Sequence, residues 1–518
     1  MSAPPAVTPT TPTLALRALA RHPDRTAFRS DEGTLTYAGA ADLIGRMQAV
    51  LVARGLGRGD GLAILAGNRA DSWCALIAAQ GIGMYTTALH PLASLDDQRY
   101  QLADAGVRAL LVDAKSFAAR GGELADDVEQ VLTLGEAGFG VDLRAAAEGA
   151  GASTPRSLAQ PDDRAIINYT GGTTGRSKGA LRHHRSSSAS NAAILADFEL
   201  PDRPSYLAVA PISHVAGSKI LPVLLRGGTV HLQHGFDPER VIDVIAERRI
   251  STTLLVPTMI YGLLDSPRLD EGDPLASLEL LLYGASPMSP SRLQEGLERI
   301  GPVFSQLYGQ TECYPISLLP RSDHRADRPE LFSSCGSPVV SCDVALLDEE
   351  GHEVGVGEPG EICVRSPYVM DGYVDQPEVT DEAFRFGWLH TDDIARRDEE
   401  GHLFIVDRAK DMIVSGGFNI YPKEIEDVLT AHPAVAMAAV VGAPDERWGE
   451  AVTAVIVRRP GADVDADELR DLVRSRKGGA HTPKRVEFAD ELPQTAVGKV
   501  DKKAIRAPFW AESDRQVG

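Results

Sequence analysis

The segment "IINYTGGTTGRSKGALRHHR", residues 166–185, places a turn rich in glycine and threonine directly behind an apolar run. Glycine adopts turn geometries without a Cβ penalty, so such a turn presents backbone N–H groups to an anion. The apolar run predicts a strand at 165–169, and the turn behind it predicts a phosphate-binding loop. For this stretch alone, a flexible surface loop is the alternative.

The two commonest phosphate motifs do not describe this turn. A Walker loop requires lysine between a glycine and a serine or threonine, whereas here Lys178 precedes Gly179. The turn also lacks the dinucleotide pattern G-x-G-x-x-G. The neighbouring His183 and His184 do not indicate a metal site either, because adjacent side chains point apart, and we expect them to be exposed polar residues.

The composition limits the class of protein. A chain of 518 residues with 43% hydrophobic residues is large enough for at least two domains with sizeable cores. The net charge of -21 argues against a nucleic-acid partner. Because charges are screened within roughly 8 Å at physiological salt, a local group of cations can still bind a nucleotide.

The five cysteines and the N-terminus point to the cytoplasm. The cysteine count is odd and no C-x-x-C spacing occurs, which argues against a disulfide framework or a zinc site. The N-terminal "MSAPPAVTPTTPTLALRALA" does not read as a signal peptide, and no apolar run reaches the roughly 18 residues of a membrane helix. We therefore expect a cytoplasmic protein with no integral membrane segment.

The order of predicted elements indicates an α/β fold with a second, smaller domain. Helical runs such as "ADLIGRMQAVLVARGLG" alternate with short strands such as "GLAILAG" and "VRALLVD", as in layers built on parallel strands. Further strands are predicted at "YLAVA", "TTLLVP", "LELLLYG" and "DVALLD", and hairpins within "EEGHEVGVGEPGEICVRSP". A compact α+β pattern follows, with a helix starting at Pro422. The predicted boundaries are 1–407, a hinge at 408–411, and 412–518.

Seven further stretches join the glycine-rich turn. They are "VAPISHVAG" (209–217), "LYGASPMS" (282–289), "QLYGQTE" (306–312), "GEPGEICVRSP" (357–367), "GWLHTDDIA" (387–395), "VDRAKDMIVSGGFNIYPKEIE" (406–426) and "LPQTAVGKVDK" (492–502). Together with the turn they resemble, in order, the motifs of the AMP-forming adenylating superfamily of acyl-CoA synthetases, peptide-synthetase adenylation domains and beetle luciferases. The resemblance spans residues 35–502.

This resemblance implies a fold and a reaction. The large domain would have layered sheets with a β-barrel-like part, and the small AMP-binding lid domain would be mobile. A carboxylate would attack the α-phosphorus of ATP to give an acyl-adenylate and pyrophosphate, and the thiol of coenzyme A would then release AMP. The alternatives are an acyl-AMP ligase that loads a separate carrier protein and a non-catalytic nucleotide-binding protein.

The resemblance also assigns residues to ATP and Mg²⁺. Thr170–Lys178 would hold the β- and γ-phosphates, Thr311 the α-phosphate, and Glu312 with Thr173 the magnesium ion. Asp393 would bind the ribose with Arg408, although Asp392 stands where the family usually has glycine. The complete set of nucleotide, cofactor and thiol-tunnel candidates is Thr170, Gly171, Gly172, Thr173, Thr174, Gly175, Lys178, Gly284, Ala285, Ser286, Tyr308, Gly309, Gln310, Thr311, Asp393, Ile405, Arg408, Ser415, Gly416, Gly417 and Lys499.

The resemblance assigns three further positions to catalysis, to the acid channel and to the rotation of the small domain. Lys499 would reach the carboxylate and the α-phosphate from the small domain, His214 would gate the acid channel, and Lys410 would be the pivot of domain rotation. The acid pocket is predicted from His214, Val215, Ala216, Lys219, Met259, Tyr261, Gly284, Gly309 and Tyr314. Because "PISHVAGSKI" has no acidic residue to bind an ammonium group, the acid is expected to lack an α-amino group.

The remaining predictions concern substrate and partners. Gly309 is expected to leave depth for a fatty or bulky aryl acid. Free coenzyme A is the expected acceptor, because nothing behind Lys502 resembles a carrier domain. The sequence leaves the oligomeric state open, with a homodimer as one option.

Overall fold

The structure is a computed structural model of the 518-residue chain. It describes residues 8–511 apart from 92, 171–176, 409–410, 416–417, 446–447, 480 and 496–498. The predictions for Gly171, Gly172, Thr173, Thr174, Gly175, Lys410, Gly416 and Gly417 lie outside the described residues.

Several helices begin directly after a residue that caps them. Thr10, Ser94 and Asp237 accept hydrogen bonds from the first turns of the helices that follow them, which satisfies N–H groups without a helical partner. The α-helices are α1 (Thr11–Arg21), α2 (Tyr37–Ala53), α3 (Ala70–Gly81), α4 (Leu95–Ala105), α5 (Ala114–Leu124), α6 (Leu143–Gly149), α7 (His184–Asp197), α8 (Ile220–Leu225), α9 (Pro238–Arg248), α10 (Pro257–Asp265), α11 (Pro290–Arg299), α12 (Pro377–Ala383), α13 (Pro422–Thr430), α14 (Ala466–Lys477) and α15 (Lys502–Trp510).

The strands fall at the short apolar runs of the sequence. They are β1 (Thr26–Ser30), β2 (Gly33–Thr36), β3 (Gly61–Leu65), β4 (Tyr85–Ala88), β5 (Ala109–Asp113), β6 (Gln130–Leu134), β7 (Val141–Asp142), β8 (Arg164–Tyr169), β9 (Gly179–His183), β10 (Ser205–Ala208), β11 (Thr229–Leu232), β12 (Thr252–Leu255), β13 (Leu280–Gly284), β14 (Phe304–Tyr308), β15 (Ser317–Leu319), β16 (Ser337–Pro338), β17 (Asp343–Leu347), β18 (Gly360–Arg365), β19 (Gly372–Tyr373), β20 (Leu389–Arg397), β21 (Leu403–Arg408), β22 (Ile413–Ser415), β23 (Phe418–Ile420), β24 (Val435–Asp445), β25 (Gly449–Arg458) and β26 (Arg485–Ala489).

Two large sheets with parallel centres form the body of the molecule. One has the strand order β16-β15-β14-β13-β12-β10-β11-β1-β2, and the other β19-β9-β8-β4-β3-β5-β6-β7. A single hydrophobic core contains residues of both sheets and of α2 and α3, among them Phe28, Ile44, Leu62, Cys74 and Val230. The predicted α/β fold with layered sheets is therefore confirmed.

Two smaller sheets complete the fold. The barrel-like part takes the form of an antiparallel sheet in the order β17-β18-β20-β21. The C-terminal sheet contains β23-β22-β25-β24, with β26 parallel to β25, and carries its own core around Ile420, Leu429 and Val452. Residues 408–413 join the two sheets. The exact boundaries 1–407, 408–411 and 412–518 stay a prediction.

The topology brings the motifs to one region. Gly284 and Tyr308 end the neighbouring parallel strands β13 and β14, and Tyr169 ends β8 in the other large sheet. Ligands of open α/β sheets bind outside such carboxyl ends. Among the described residues, no helix is both long and apolar enough to cross a bilayer.

The paired histidines behind the glycine-rich turn are not the exposed residues we expected. The Nδ1 atom of His183 lies 2.8 Å from Asp371 Oδ2, and His184 is fully buried at the start of α7. Neither ring nitrogen of His184 has a hydrogen-bond partner among the described residues. Burial, only partly offset by Asp163, lowers the pKa of His184 to about 4.

We expect His184 to make the protein less stable as the pH falls from 6.5 to about 4. Between these pH values the His184 ring is protonated in the unfolded chain but neutral in the folded protein. This difference lowers the free energy of unfolding by about 2 kcal/mol at pH 5. Urea unfolding at pH 7 and pH 5 measures this loss, and His184→Leu should reduce it. The matched variant His352→Leu, at a ring that is 80% exposed, should leave it unchanged. An equal pH dependence in His184→Leu and the wild type would contradict the assignment.

Candidate active site

A buried carboxylate forms the centre of the predicted nucleotide site. The Tyr308 hydroxyl and Gln310 Nε2 each donate to Asp393 Oδ2 at 2.7 Å, and the same amide donates to the Thr391 carbonyl. Asp393 is 5% exposed. Burial and the nearby carboxylate hold the pKa of Tyr308 well above its usual value, so the hydroxyl keeps its proton and continues to donate. Two residues from the end of β14 thereby orient a side chain of β20.

The neighbouring aspartate has a different environment. Asp392 has a φ of +60° and an exposed side chain, and its N–H donates to Glu361 Oε1 at 2.9 Å. This left-handed backbone explains why glycine suits the position and why aspartate is tolerated there. Asp393, not Asp392, is the carboxylate that Tyr308 and Gln310 hold.

The Thr311–Glu312 turn follows β14 and is held by contacts from two other elements. The buried guanidinium of Arg182 donates to the Thr311 carbonyl. Tyr373 donates its hydroxyl proton to Glu312 Oε1 at 2.8 Å. The Lys178 ammonium lies 4.4 Å from the centre of the Tyr373 ring, a cation–π distance. The structure thus brings a cation of the predicted phosphate loop and the predicted magnesium ligand to opposite sides of one tyrosine.

The described ends of the glycine-rich turn close a hairpin. The Thr170 N–H donates to the Lys178 carbonyl at 3.0 Å, and the Lys178 N–H donates to Thr170 Oγ1 at 3.2 Å. Strands β8 and β9 pair antiparallel on either side of it. Both ends of the predicted phosphate loop are therefore fixed to the sheet.

His214 packs against a ring from a distant part of the chain. Its Nδ1 lies 2.8 Å from Ser213 Oγ, and its ring centroid is 4.7 Å from that of His90. Desolvation by the surrounding protein, together with His90 and the charge of Lys499, lowers the pKa of His214 to about 4. His214 is therefore neutral at pH 7, and Lys499 of the C-terminal sheet region is close enough to act on it.

The His214 loop depends on a glycine and an asparagine. A Cβ on Gly217 would lie 1.8 Å from the Ile212 carbonyl oxygen. Asn68 accepts the Ile212 N–H at 2.9 Å, and its amide nitrogen, with two protons to donate, lies within hydrogen-bond distance of the carbonyls of 208, 209, 210 and 233. The backbone around His214 is thus compact and fixed from beneath.

We expect Gly217→Ala to lower both activity and stability. The added methyl group overlaps a backbone oxygen, so the loop must shift and carry His214 with it. A loss of roughly 2 kcal/mol in unfolding free energy, typical of overpacking, should accompany a fall in turnover. Gly57→Ala is the matched control, because nothing lies within 4 Å of its added Cβ and its φ is not in the left-handed region. A Gly217→Ala enzyme with wild-type stability and turnover would contradict the close contact.

The predicted acid pocket contains a buried lysine. Lys219 is fully buried, and its ammonium donates to the Tyr314 hydroxyl and, at 2.8 Å, to Ser218 Oγ. Burial lowers the pKa of Lys219 well below its usual value. Gly309 does not leave the depth we expected: a Cβ there would lie 2.7 Å from Tyr314 Cδ2, so the Tyr314 ring already fills that space.

The other pocket candidates line two cores. Ala216 is buried and its carbonyl accepts from Tyr206, while Val215 packs at the edge of the core that joins the two large sheets. Met259 and Tyr261 lie on α10 against the second core, and the Tyr261 hydroxyl accepts the Ser289 N–H. Burial raises the pKa of Tyr261 to about 12.

The remaining nucleotide candidates lie on strand ends and on β21. A Cβ on Gly284 would lie 2.3 Å from the Leu307 carbonyl, and Ala285 has a φ of +67° with an exposed side chain. Ser286 is partly exposed in the same turn. In the β20–β21 ladder Ile405 pairs with Ala395, and Arg408 pairs with Asp393. Ser415 is buried at the end of β22.

The C-terminal motif forms a turn whose ends are described. Gln494 and Val500 form a bridge, and the Lys499 N–H donates to Thr495 Oγ1 at 3.2 Å. A contact between Ser291 Oγ and the Thr430 carbonyl also joins the two parts of the chain. The charge of Lys499 contributes to the lowered pKa of His214 in the large domain.

Sequence reasoning missed four residues of this site. Asn68, His90, Arg182 and Tyr373 support the His214 loop and the Thr311–Glu312 turn, but they lie outside the predicted site residues. Arg182 and Tyr373 are set by the pairing of β19 with β9, which puts Tyr373 opposite Ala180. Two of the four had a signal in the sequence: Arg182 lies within the quoted stretch 166–185, and Asn68 directly follows the predicted strand "GLAILAG".

Two segments of this chain match a known enzyme family. The AMP-binding enzyme family matches residues 16–374, and its C-terminal domain matches residues 424–499. The chain belongs to the AMP-binding enzyme family. Both domains of an AMP-binding enzyme are thus represented, and the superfamily predicted from the motifs is confirmed.

Individual relatives of this AMP-binding enzyme cover nearly its whole length. A medium/long-chain fatty acid–CoA ligase, FadD8, of Mycobacterium tuberculosis is 42% identical over 98% of this chain and 91% of its own. A feruloyl-CoA synthase of Amycolatopsis sp is 36% identical over 94% and 96%. The solved structure of the amide bond synthetase McbA from Marinactinospora thermotolerans gives a TM-score of 0.89 at 34% identity, over 96% and 99%. The predicted enzyme class, an AMP-forming acid–thiol ligase, is confirmed.

Proposed function

We propose that this AMP-binding enzyme activates an apolar carboxylic acid with ATP and transfers the acyl group to coenzyme A. In the first step a carboxylate oxygen attacks the α-phosphorus and pyrophosphate leaves. In the second, the thiol attacks the acyl carbon, loses its proton, and AMP leaves. The observation that carries the proposal is the meeting of Glu312 and Lys178 at Tyr373, which joins the predicted magnesium ligand to a cation of the predicted phosphate loop.

In this strongly acidic protein, a few side chains supply the positive charge that the phosphates require. Lys178 and the loop 170–178 hold the β- and γ-phosphates, Thr311 contacts the α-phosphate, and Lys499 stabilises the charge that builds between acid and phosphorus. Preorganised donors aimed at developing charge are the usual source of such catalysis. Because His214 is neutral at pH 7, it orients the acid without attracting its charge.

The residues present fit a magnesium ion. Carboxylate and hydroxyl oxygens are its preferred protein ligands, and Glu312 would hold it together with Thr173. The Tyr373 hydroxyl holds Glu312 Oε1 at 2.8 Å and so fixes one oxygen of this carboxylate. When bound, the ion neutralises phosphate charge and helps pyrophosphate to leave.

Nucleotide recognition follows from the β14 end and the β20–β21 ladder. Asp393 and Arg408 bind the ribose hydroxyls, and Tyr308 stacks on adenine. The other adenine and ribose contacts come from Gly284, Ala285, Ser286, Gly309, Gln310 and Ile405.

Thioester formation uses a second domain arrangement. The C-terminal domain turns about Lys410 after adenylation, and Ser415, Gly416 and Gly417 then line the passage for the pantetheine thiol. Hinges of this kind need only a few residues to absorb the change in dihedral angles. Adenylation and thiolation are therefore separable by mutation.

The proposed acid is a medium- or long-chain fatty acid or a bulky aryl acid without an α-amino group. Residues 211–220 contain no aspartate or glutamate to pair with an ammonium group. Val215, Ala216, Met259 and Tyr261 supply apolar walls. Two relatives are named for apolar acids, a fatty acid and ferulic acid.

The test is a panel of carboxylic acids with ATP and Mg²⁺, with pyrophosphate release read with and without coenzyme A. We expect release with fatty or aryl acids and little with amino acids, and thioester only when coenzyme A is present. Release without any acid, or none with all of them, would favour the non-catalytic nucleotide-binding alternative. Thioester on a carrier protein but not on coenzyme A would favour the carrier-loading alternative. The proposed location is the cytoplasm, where both substrates occur and where free thiols such as the five here persist.

A further inference from the structure

Three side chains of the antiparallel sheet meet behind the nucleotide site and have no role in the proposed reaction. Glu361 and Cys363 lie on β18, and His390 lies opposite Cys363 on β20. Glu361 Oε2 is 2.7 Å and Cys363 Sγ is 3.3 Å from His390 Nδ1. Cys363 is fully buried, and the His390 side chain is only 5% exposed.

Too many polar atoms converge on one nitrogen. Besides Glu361 and Cys363, Arg385 Nη2 lies 3.2 Å from the same Nδ1. A neutral imidazole nitrogen offers a single in-plane proton or lone pair, so it satisfies one of these three partners at a time. Glu361, Cys363 and His390 therefore offer a set of metal-ligand atoms around one point, and the guanidinium of Arg385 supplies the positive charge there.

The donor set matches the preferences of zinc. Thiolate, imidazole and carboxylate are its three protein ligand types, and sites with three protein ligands leave the fourth position to water. The three ligand atoms lie within 4.8 Å of one another. The other oxygen of Glu361 is engaged by the Asp392 N–H, which leaves Oε2 to coordinate alone.

We propose that Glu361, Cys363 and His390 form a Zn²⁺ site, in which the metal replaces the guanidinium of Arg385. Arg385 is able to leave because it is 41% exposed and also pairs with Glu382 on the surface. The site is separate from the proposed magnesium ligand Glu312. A search for C-x-x-C spacing does not find this site, because its ligands come from two strands and only one of them is a cysteine.

The positive charge of Arg385 competes with the metal for these ligands, because its Nη2 lies 3.2 Å from His390 Nδ1 and 3.5 Å from Glu361 Oε2.

Cobalt substitution in the full-length protein tests the thiolate ligand. Titration with CoCl₂ should give a thiolate-to-cobalt charge-transfer band in the near ultraviolet, and ZnCl₂ should abolish it. Cys363→Ser should lose the band, whereas Cys74→Ser, at another fully buried cysteine, should keep it. A band that persists in Cys363→Ser would overturn the proposal.

Removal of the competing cation gives a second and independent test. Arg385→Ala should bind zinc roughly tenfold more tightly or better by calorimetry, since a positive charge close to the metal is gone. Arg396→Ala, on the same sheet, should bind as the wild type does. Unchanged affinity in Arg385→Ala, or no binding by the wild type and Arg385→Ala together, would overturn the proposal even if Cys363→Ser failed to fold.

Discussion

Lys499→Ala should lower the rate of acyl-adenylate formation by roughly 10²-fold or more, the scale of losing one transition-state donor. The lysine comes from the C-terminal part of the chain, and its charge acts on His214 in the large domain. In the proposed reaction, it stabilises the negative charge that builds as the carboxylate attacks the α-phosphorus. ATP–pyrophosphate exchange measures this step directly.

Thioester formation, the second half-reaction, tests whether Lys499 acts only in adenylation. If Lys499 serves only adenylation, Lys499→Ala should convert a supplied acyl-adenylate to thioester at the wild-type rate. Lys503→Ala removes an exposed lysine of α15 and should leave both steps unchanged. Equal losses in both half-reactions for Lys499→Ala would show that the lysine supports the fold or the domain arrangement in general.

Asp393→Asn should weaken ATP and AMP binding by roughly 10²-fold, because charged hydrogen bonds to two ribose hydroxyls contribute about 1.5 kcal/mol or more each. The asparagine keeps the size of the side chain and one acceptor oxygen for Tyr308 and Gln310. This variant is preferable to Asp393→Ala, which would leave the buried Tyr308 hydroxyl without its acceptor and cost about 1–3 kcal/mol of stability. Equilibrium titration with AMP measures the change.

Binding of deoxynucleotides tests whether Asp393 contacts the ribose hydroxyls. The wild type should bind 2′-deoxy- and 3′-deoxy-AMP more weakly than AMP, and Asp393→Asn should lose most of this discrimination. Asp392→Gly is the matched control, since glycine suits the φ of +60° and the side chain points to solvent. Full discrimination in Asp393→Asn would remove Asp393 from the ribose site.

Local patterns in the sequence predicted much of the fold. The strand expected at 165–169 is found at Arg164–Tyr169, and the helix expected at Pro422 starts there, with proline in its first turn. The apolar runs "GLAILAG" and "LELLLYG" contain β3 and β13. These features follow from residue type and spacing over a few positions, so the chain needs no distant partner to specify them.

Contacts between distant segments could not be predicted in this way. The sequence placed His183 and His184 at the surface, but α7 buries His184 completely. It assigned depth to Gly309, but the ring of Tyr314 occupies that space. Both errors have one cause: burial depends on what packs against a residue, and a short motif does not contain that information.

The sequence alone predicted the α/β layering, because hydrophobic periodicity is a local property of the chain, and the resemblance of its motifs predicted the family and suggested the reacting groups. The tertiary structure decided which of these groups meet. It joined Tyr308 and Gln310 to Asp393, and Tyr373 to both Lys178 and Glu312. It also assembled Glu361, Cys363 and His390 from two strands. These contacts arise from strand pairing and domain packing, whose register depends on the whole chain and cannot be read from any one segment.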